Sequence, residues 1–331
     1  MAKKDGVDKA FDKVEFLYAK GAIVNLAENP RYAVQASTNR PSIDYVTDGG
    51  LPRGRMILIA GEPSAGKSSF TIQVSEEVGK KILYMDTEAT LTTDYIEDLG
   101  ANPANFSHCI PETTEQMCDI MRQQMPNFDV IIVDSINNSA SGEQIQKTAG
   151  EKTMANRANV LSSQLPILIG LANQYNTTLI ILSQVRDNMN KANKYSPDTV
   201  IPGGNCLHHN SSMTLELFKS SKKEKEEKGG LGNKDKVVEG NMVRIKCTKN
   251  KVGVVNREVT VEFLYGKGYT IEADVASAAL RLGILERAGS WIKYDGTTIA
   301  QGLDNLVPML FDNPDLLEAL KVAIKEKQTE E

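Results

Sequence analysis

Eight residues, Gly61 to Ser68, read GEPSAGKS and fit the spacing G-x-x-x-x-G-K-[ST]. Glycines in such a run let backbone N–H groups turn inward toward phosphate oxygens. A helix opening at Lys67 adds partial positive charge at its N-terminus. In that setting a lysine reaches the β- and γ-phosphates of a nucleoside triphosphate, and the following hydroxyl ligates Mg²⁺. The candidate nucleotide-binding residues are therefore Gly61, Glu62, Pro63, Ser64, Ala65, Gly66, Lys67, Ser68 and the adjoining Ser69.

Three further positions suit hydrolysis. VIIVDS, 130–135, is an apolar strand ending in Asp134, a carboxylate able to hold Mg²⁺ beside Ser68. Glu88, in LYMDTEAT, falls just past a second apolar strand, where open α/β sheets bind ligands, and can polarise an attacking water. Asp86, inside that strand end, is the rival base. Gln184 follows a third apolar strand and can hydrogen-bond a γ-phosphate or the water. Behind it runs VRDNMNKANKYSPDTVIPGG, a long polar segment with Arg186, Lys191, Lys194 and Tyr195, closed by Gly203 and Gly204. Cations, amides and an aromatic in one long loop suit single-stranded nucleic acid.

The elements that must position these groups are legible from periodicity. Apolar runs over 56–60, 82–86, 107–110, 130–134 and 178–183 read as strands, several buried on both faces. Helical segments alternate with them, such as 67–78 with Phe70, Val74 and Val78 on one side. This alternation predicts a parallel sheet with right-handed crossovers. After 205 the strands 213–218, 242–247 and 258–264 follow without long helices and are expected to add antiparallel pairs at one side. The charged stretch 219–236 reads as a solvated hairpin loop or a partly disordered one. Residues 7–20 have the periodicity of an amphipathic helix, with Val7, Phe11, Val14 and Leu17 in one stripe, and 22–26 read as a short strand. Such a helix must dock on a core or on another subunit. Residues 272–331 read as a small separate domain with helices over 275–282 and 316–324 and a hairpin turning at Asp295-Gly296.

Composition narrows the function. The 331 residues are 40% hydrophobic and 24% charged, which excludes disordered, collagen-like and coiled-coil classes. A net charge of −5 excludes a uniformly basic nucleic-acid coat but not a local basic site. The four cysteines lack zinc-ligand spacing and read as reduced thiols. The N-terminal residues lack a signal-peptide core, and no apolar run reaches membrane-spanning length, so a soluble, cytoplasmic protein with no membrane contact is expected.

Taken in order, these segments resemble the RecA recombinase family over roughly 7–325. The resemblance is carried by VDKAFDKVEFLYAKGAIVNL, SIDYVTDGGLPRGRMILIAGEPSAGKS, YMDTEATLTTDYIEDLG, VIIVDS, CTKNK, VEFLYGKGY and LGILERAGSWIKYDGTTIAQG. It implies an α/β fold: a RecA-type P-loop ATPase core whose mostly parallel sheet is extended by antiparallel strands. An N-terminal helix–strand arm over 1–30 would serve polymerisation, the core would span 31–270, and a small α/β domain 271–331. It implies a DNA-dependent ATPase that forms a filament of its own copies on single-stranded DNA and pairs it with homologous duplex, with ATP and Mg²⁺ as cofactors.

By the same resemblance Glu88 is the catalytic glutamate, Tyr95 stacks on adenine, Asp134 is the acidic metal residue and Gln184 senses the γ-phosphate. Lys249 and Lys251 reach the neighbouring subunit's ATP, Tyr265 and Gly266 border it, the loop after Gln184 binds DNA, and 144–159 is a first DNA loop. Thr92 departs from the family's usual Asp near the adenine, and His208 and His209 from its Lys and Phe near the interface. Two rival readings share the ATPase core: a ring-shaped helicase and a non-catalytic ATP-switched scaffold.

Overall fold

The computed structural model describes residues 35–140, 142, 154–187, 199–201, 205–228 and 234–330. The expected N-terminal helix and strand lie outside these residues. Eight strands form one sheet: β1 (Met56–Gly61), β2 (Ile82–Asp86), β3 (Phe106–Cys109), β4 (Val130–Asp134), β5 (Thr178–Gln184), β6 (Met213–Lys228), β7 (Lys234–Asn250) and β8 (Glu258–Leu264). Their order is β8-β7-β6-β1-β5-β4-β2-β3. Every pairing from β6 across to β3 is parallel, and β7 and β8 join antiparallel.

The helices of this part are α1 (Pro41–Thr47), α2 (Lys67–Val78), α3 (Thr93–Asp98), α4 (Thr114–Gln124), α5 (Met154–Tyr175) and α6 (Asn205–Asn210). The central strands are apolar at every step because both faces are covered. In β1, Ile57 and Ile59 pack with Phe70, Val74 and Ile132, while Met56 and Leu58 pack with Val133, Leu161, Leu165 and Leu168. Helix α5 presents Leu161, Leu165, Leu168 and Ala172, spaced by three or four residues, to that second face.

Two expectations are corrected. The strands after 205 do add antiparallel pairs at one side, β6 with β7 and β7 with β8, while β6 joins β1 in parallel, with Met213 opposite Ile57. The reason is that α6 delivers the chain to the end where β1 begins: the Ser212 N–H donates to the Met56 carbonyl at 2.8 Å. The stretch 219–236 is not a loop throughout, since β6 continues to Lys228 and β7 starts at Lys234. Ladder hydrogen bonds need no apolar side chains, so a charged run can prolong a hairpin rooted by buried Leu215 and Leu217. Finally, the end of the expected first DNA loop, 154–159, is the first turn and a half of α5.

The chain continues into α7 (Ile271–Arg281), a three-stranded antiparallel sheet of β9 (Leu285–Ala288), β10 (Trp291–Tyr294) and β11 (Thr297–Gln301), then α8 (Leu303–Asp312) and α9 (Pro314–Glu330). Val275, Ala279, Ile292, Leu306, Leu320 and Ile324 form a core of their own. Asp295 and Gly296 carry φ of 48° and 74°, the left-handed pair a tight hairpin requires.

Candidate active site

The phosphate-binding loop leaves the C-terminal end of β1 at the centre of the sheet. A side chain at Gly61 would place its Cβ 2.4 Å from the Leu217 carbonyl oxygen of β6, so only glycine lets the two strands approach this closely. Gly66 caps α2 with φ +75°, and a Cβ there would lie 2.7 Å from the Phe263 ring. The buried Tyr269 hydroxyl donates to the Ala65 carbonyl at 2.8 Å and props the loop from beneath. Lys67 is buried, and its Nζ donates to the carbonyls of Gly61 at 3.1 Å and Glu62 at 2.8 Å. Burial lowers its pKa, an effect that nearby Asp134, Glu88 and Glu62 partly oppose. Its ammonium thus rests on the loop's own carbonyls, where an anionic oxygen would be a stronger partner.

Asp134 closes β4 beside this loop. Its Oδ2 accepts from the Ser68 hydroxyl at 2.5 Å and from the Tyr84 hydroxyl at 2.6 Å. Burial first, then the Asp134 charge, pushes the Tyr84 pKa well above its usual value, which keeps it a donor. A serine hydroxyl and a carboxylate in contact are hard oxygen ligands of the kind Mg²⁺ takes alongside phosphate oxygens. The residues present therefore fit that ion. The Asp134–Ser135 peptide bond is cis.

Glu88 and Gln184, 96 positions apart, meet here: the Gln184 amide Nε2 is 3.4 Å from Glu88 Oε1. The same oxygen accepts from Asn138 Nδ2 at 2.7 Å and Ser135 Oγ at 3.2 Å. The rival base Asp86 is otherwise engaged. Its carboxylate is buried and accepts the backbone N–H groups of Glu88 (3.0 Å), Thr90 (2.8 Å) and Leu91 (2.8 Å), with His108 Nε2 3.3 Å away. Asp86 shapes the loop that presents Glu88 and faces no open space.

Other expected positions are scattered around this centre. Tyr95 is half-buried on α3, its hydroxyl 2.7 Å from the Ser69 hydroxyl. Thr92 is the cap of that helix and accepts from the Tyr95 N–H at 3.2 Å, a role an Asp fills equally well. Tyr265 is exposed, accepts from Asn241 Nδ2 at 3.0 Å and stands edge-on to Phe263, whose ring lies under Gly66. Gly266 follows it with φ +79°.

Lys249 Nζ donates to the carbonyls of His208, at 2.5 Å, and His209, at 2.9 Å, capping the C-terminus of α6. Burial and the neighbouring Lys251 lower its pKa. Burial first, then Lys249, also lowers that of His208. Lys251 is exposed. Of the polar loop, Arg186 is exposed on a two-residue strand, Arg186–Asp187, paired with Thr199–Val200. Lys191, Lys194, Tyr195, Gly203 and Gly204 lie outside the described residues.

Motif reading missed Tyr84, Tyr269, Ser135, Asn137 and Asn138. Tyr84 carries a signal, a lone hydroxyl in the otherwise apolar strand ahead of Asp86. Tyr269 carries none until the sheet order is known.

A family model for the RecA N-terminal domain matches residues 5–270, and one for the RecA C-terminal domain matches 273–329. The chain belongs to the RecA family. Among its curated relatives, RecA of Pseudomonas savastanoi pv. phaseolicola is 30% identical over 332 positions, covering 98% of this chain and 91% of that one. RecA of Marinobacter nauticus is 31% identical, covering 98% and 92%. In fold the chain is similar to the crystal structure of the RadB recombinase, with a TM-score of 0.52 and 20% identity over 71% of this chain and 98% of that one. As a member of the RecA family it is a P-loop, DNA-dependent ATPase and a recombinase of DNA strand exchange and repair. No helix among the described residues is long and apolar enough to cross a membrane.

Proposed function

We propose that this chain binds ATP with Mg²⁺ at Gly61–Ser69 and hydrolyses it with Glu88 as general base. In this reading copies of the chain assemble on single-stranded DNA, pair it with homologous duplex, and share each nucleotide across their interface. The observation that carries the reading is the contact of Glu88 with Gln184 on the strand flanking β1, beside the loop that holds Lys67. Lys67 exchanges two carbonyl partners for phosphate oxygens. The ion, held by Ser68 and Asp134, supplies charge neutralisation on the β- and γ-phosphates. Gln184 reports the γ-phosphate to the loop behind it, where Arg186, Lys191, Lys194, Tyr195, Gly203 and Gly204 contact DNA. Tyr95, Tyr265 and Gly266 border the nucleotide.

The sheet register supports a shared nucleotide. Lys249 stands opposite Thr214, and Thr214 opposite Leu58, three residues before Gly61. Lys249 therefore sits roughly 10 Å back along the strands and roughly 10 Å to the side of its own phosphate loop. Its amine rests on α6, at the far end of the sheet. In a neighbour's site, Lys249 and Lys251 would lose their counter-charge when the γ-phosphate leaves, and an unpaired buried charge costs several kcal/mol. Hydrolysis would then loosen the filament. In this reading residues 1–30 form the polymerisation arm, 31–270 the ATPase core and 271–331 the small C-terminal domain.

Electron microscopy of the protein with ATP and single-stranded DNA tests the assembly. A helical filament supports it, and closed rings would support the helicase reading instead. DNA-stimulated phosphate release tests against a non-catalytic scaffold.

A further inference from the structure

Glu88 is an exposed side chain with three rotatable bonds, on a loop whose next residue, Ala89, has φ +53°. Left alone, such a carboxylate would sample many rotamers, and fixing it costs conformational entropy. The donors that fix it converge on one oxygen. Asn138 Nδ2, Ser135 Oγ and Gln184 Nε2 all approach Oε1, with Asn138 the nearest at 2.7 Å. A carboxylate only accepts, so the amide face turned toward it must be the donating one. Oε2 takes none of these three bonds.

The turn that carries Asn138 also grips the strand bearing Gln184. Asn137 Nδ2 donates to the Gln184 carbonyl at 3.2 Å, and Asn137 Oδ1 accepts from Ser183 Oγ at 3.2 Å. From the other side, Arg157 Nη1 of α5 donates to the Asn137 carbonyl at 2.6 Å. Two adjacent amides thus lock the two residues that must address the same water.

We propose that Asn138 is a positioning residue of this ATPase: it orients Glu88 for hydrolysis, while Asn137 seats Gln184 beside it. The inference rests on the reading of Glu88 as general base.

The test is steady-state ATP hydrolysis by the full-length protein on single-stranded DNA, with affinity for a fluorescent ATP analogue measured in parallel. Asn138→Ala is expected to lower kcat about tenfold, the loss of one charge-assisted hydrogen bond. KM and analogue affinity should stay within about twofold, because Asn138 touches neither the phosphate loop nor the metal corner. Asn138→Asp keeps the shape but replaces the donor with a charge like that of Glu88, so kcat should fall at least as far; a packing role would leave this variant active. In a Glu88→Gln background, Asn138→Ala should cost nothing further.

Normal kcat in Asn138→Ala or Asn138→Asp, with Glu88→Gln inactive, would overturn the role of Asn138 and leave Glu88 as the base. Normal hydrolysis by Glu88→Gln would overturn both. Asn138 is exposed, so unchanged melting temperatures are expected and would separate these outcomes from misfolding.

Discussion

Tyr269→Phe isolates one hydroxyl beneath the phosphate loop. The Tyr269 ring packs against Phe70, with centroids 5.6 Å apart, and against Phe263, at 5.1 Å, and phenylalanine preserves both contacts. What disappears is the 2.8 Å hydrogen bond to the Ala65 carbonyl. Tyr269 is 3% exposed, so water cannot replace the lost donor. Leaving a buried carbonyl without its partner costs about 1–3 kcal/mol. Thermal unfolding without nucleotide should therefore show a melting temperature lower by roughly 2–6 °C. Because Ala65 belongs to the loop, part of the cost falls on nucleotide binding, and ATP affinity should weaken by roughly 5-fold or more. Stability and ATP affinity both equal to those of the parent protein would refute the idea that this hydroxyl holds the loop in its binding shape.

Two further outcomes follow from other sites. Gly66→Ala forces a left-handed residue to carry a Cβ against Phe263, with a backbone cost alone of about 1–2 kcal/mol, so loss of ATP binding by titration is expected and wild-type affinity would contradict the close approach. Asp274 is buried, its Oδ1 has no hydrogen-bond partner, and burial, opposed by the Ser42 N–H and Arg40, raises its pKa to about 6. The folded chain then binds this proton more tightly than the unfolded chain, whose carboxyl titrates near about 4, so stability falls as pH rises through roughly 4 to 6 and the penalty is complete above that. Asp274→Asn should raise the melting temperature at pH 7.5 and give no gain at pH 4, and an equal shift at both would exclude a titrating origin.

The phosphate loop, Asp134 and Glu88 were legible because each is a short local pattern at a strand end, and the sheet places strand ends together. The residues that tune them were not, because their contacts depend on strand order. Tyr84 reaches Asp134 across 50 positions, and Tyr269 reaches Ala65 across 204. Periodicity also leaves the pairing of β6 with β1 open: the apolar residues Leu215 and Leu217 alternate as in any strand, and nothing local says that this partner runs parallel. The charge-rich hairpin beyond Phe218 looked like a loop because ladder pairing leaves no mark in hydropathy. Strand-end position alone left Glu88 and Asp86 as rivals; the backbone contacts that occupy Asp86 belong to the folded loop.

The most direct test of a nucleotide shared between subunits is ATP-dependent assembly on an oligonucleotide, followed by light scattering, for the parent chain and for Lys249→Ala with Lys251→Ala. The account predicts that the double variant still binds ATP in each subunit yet stays unassembled at ATP concentrations where the parent forms long complexes. Normal ATP-driven assembly by the variant would contradict it.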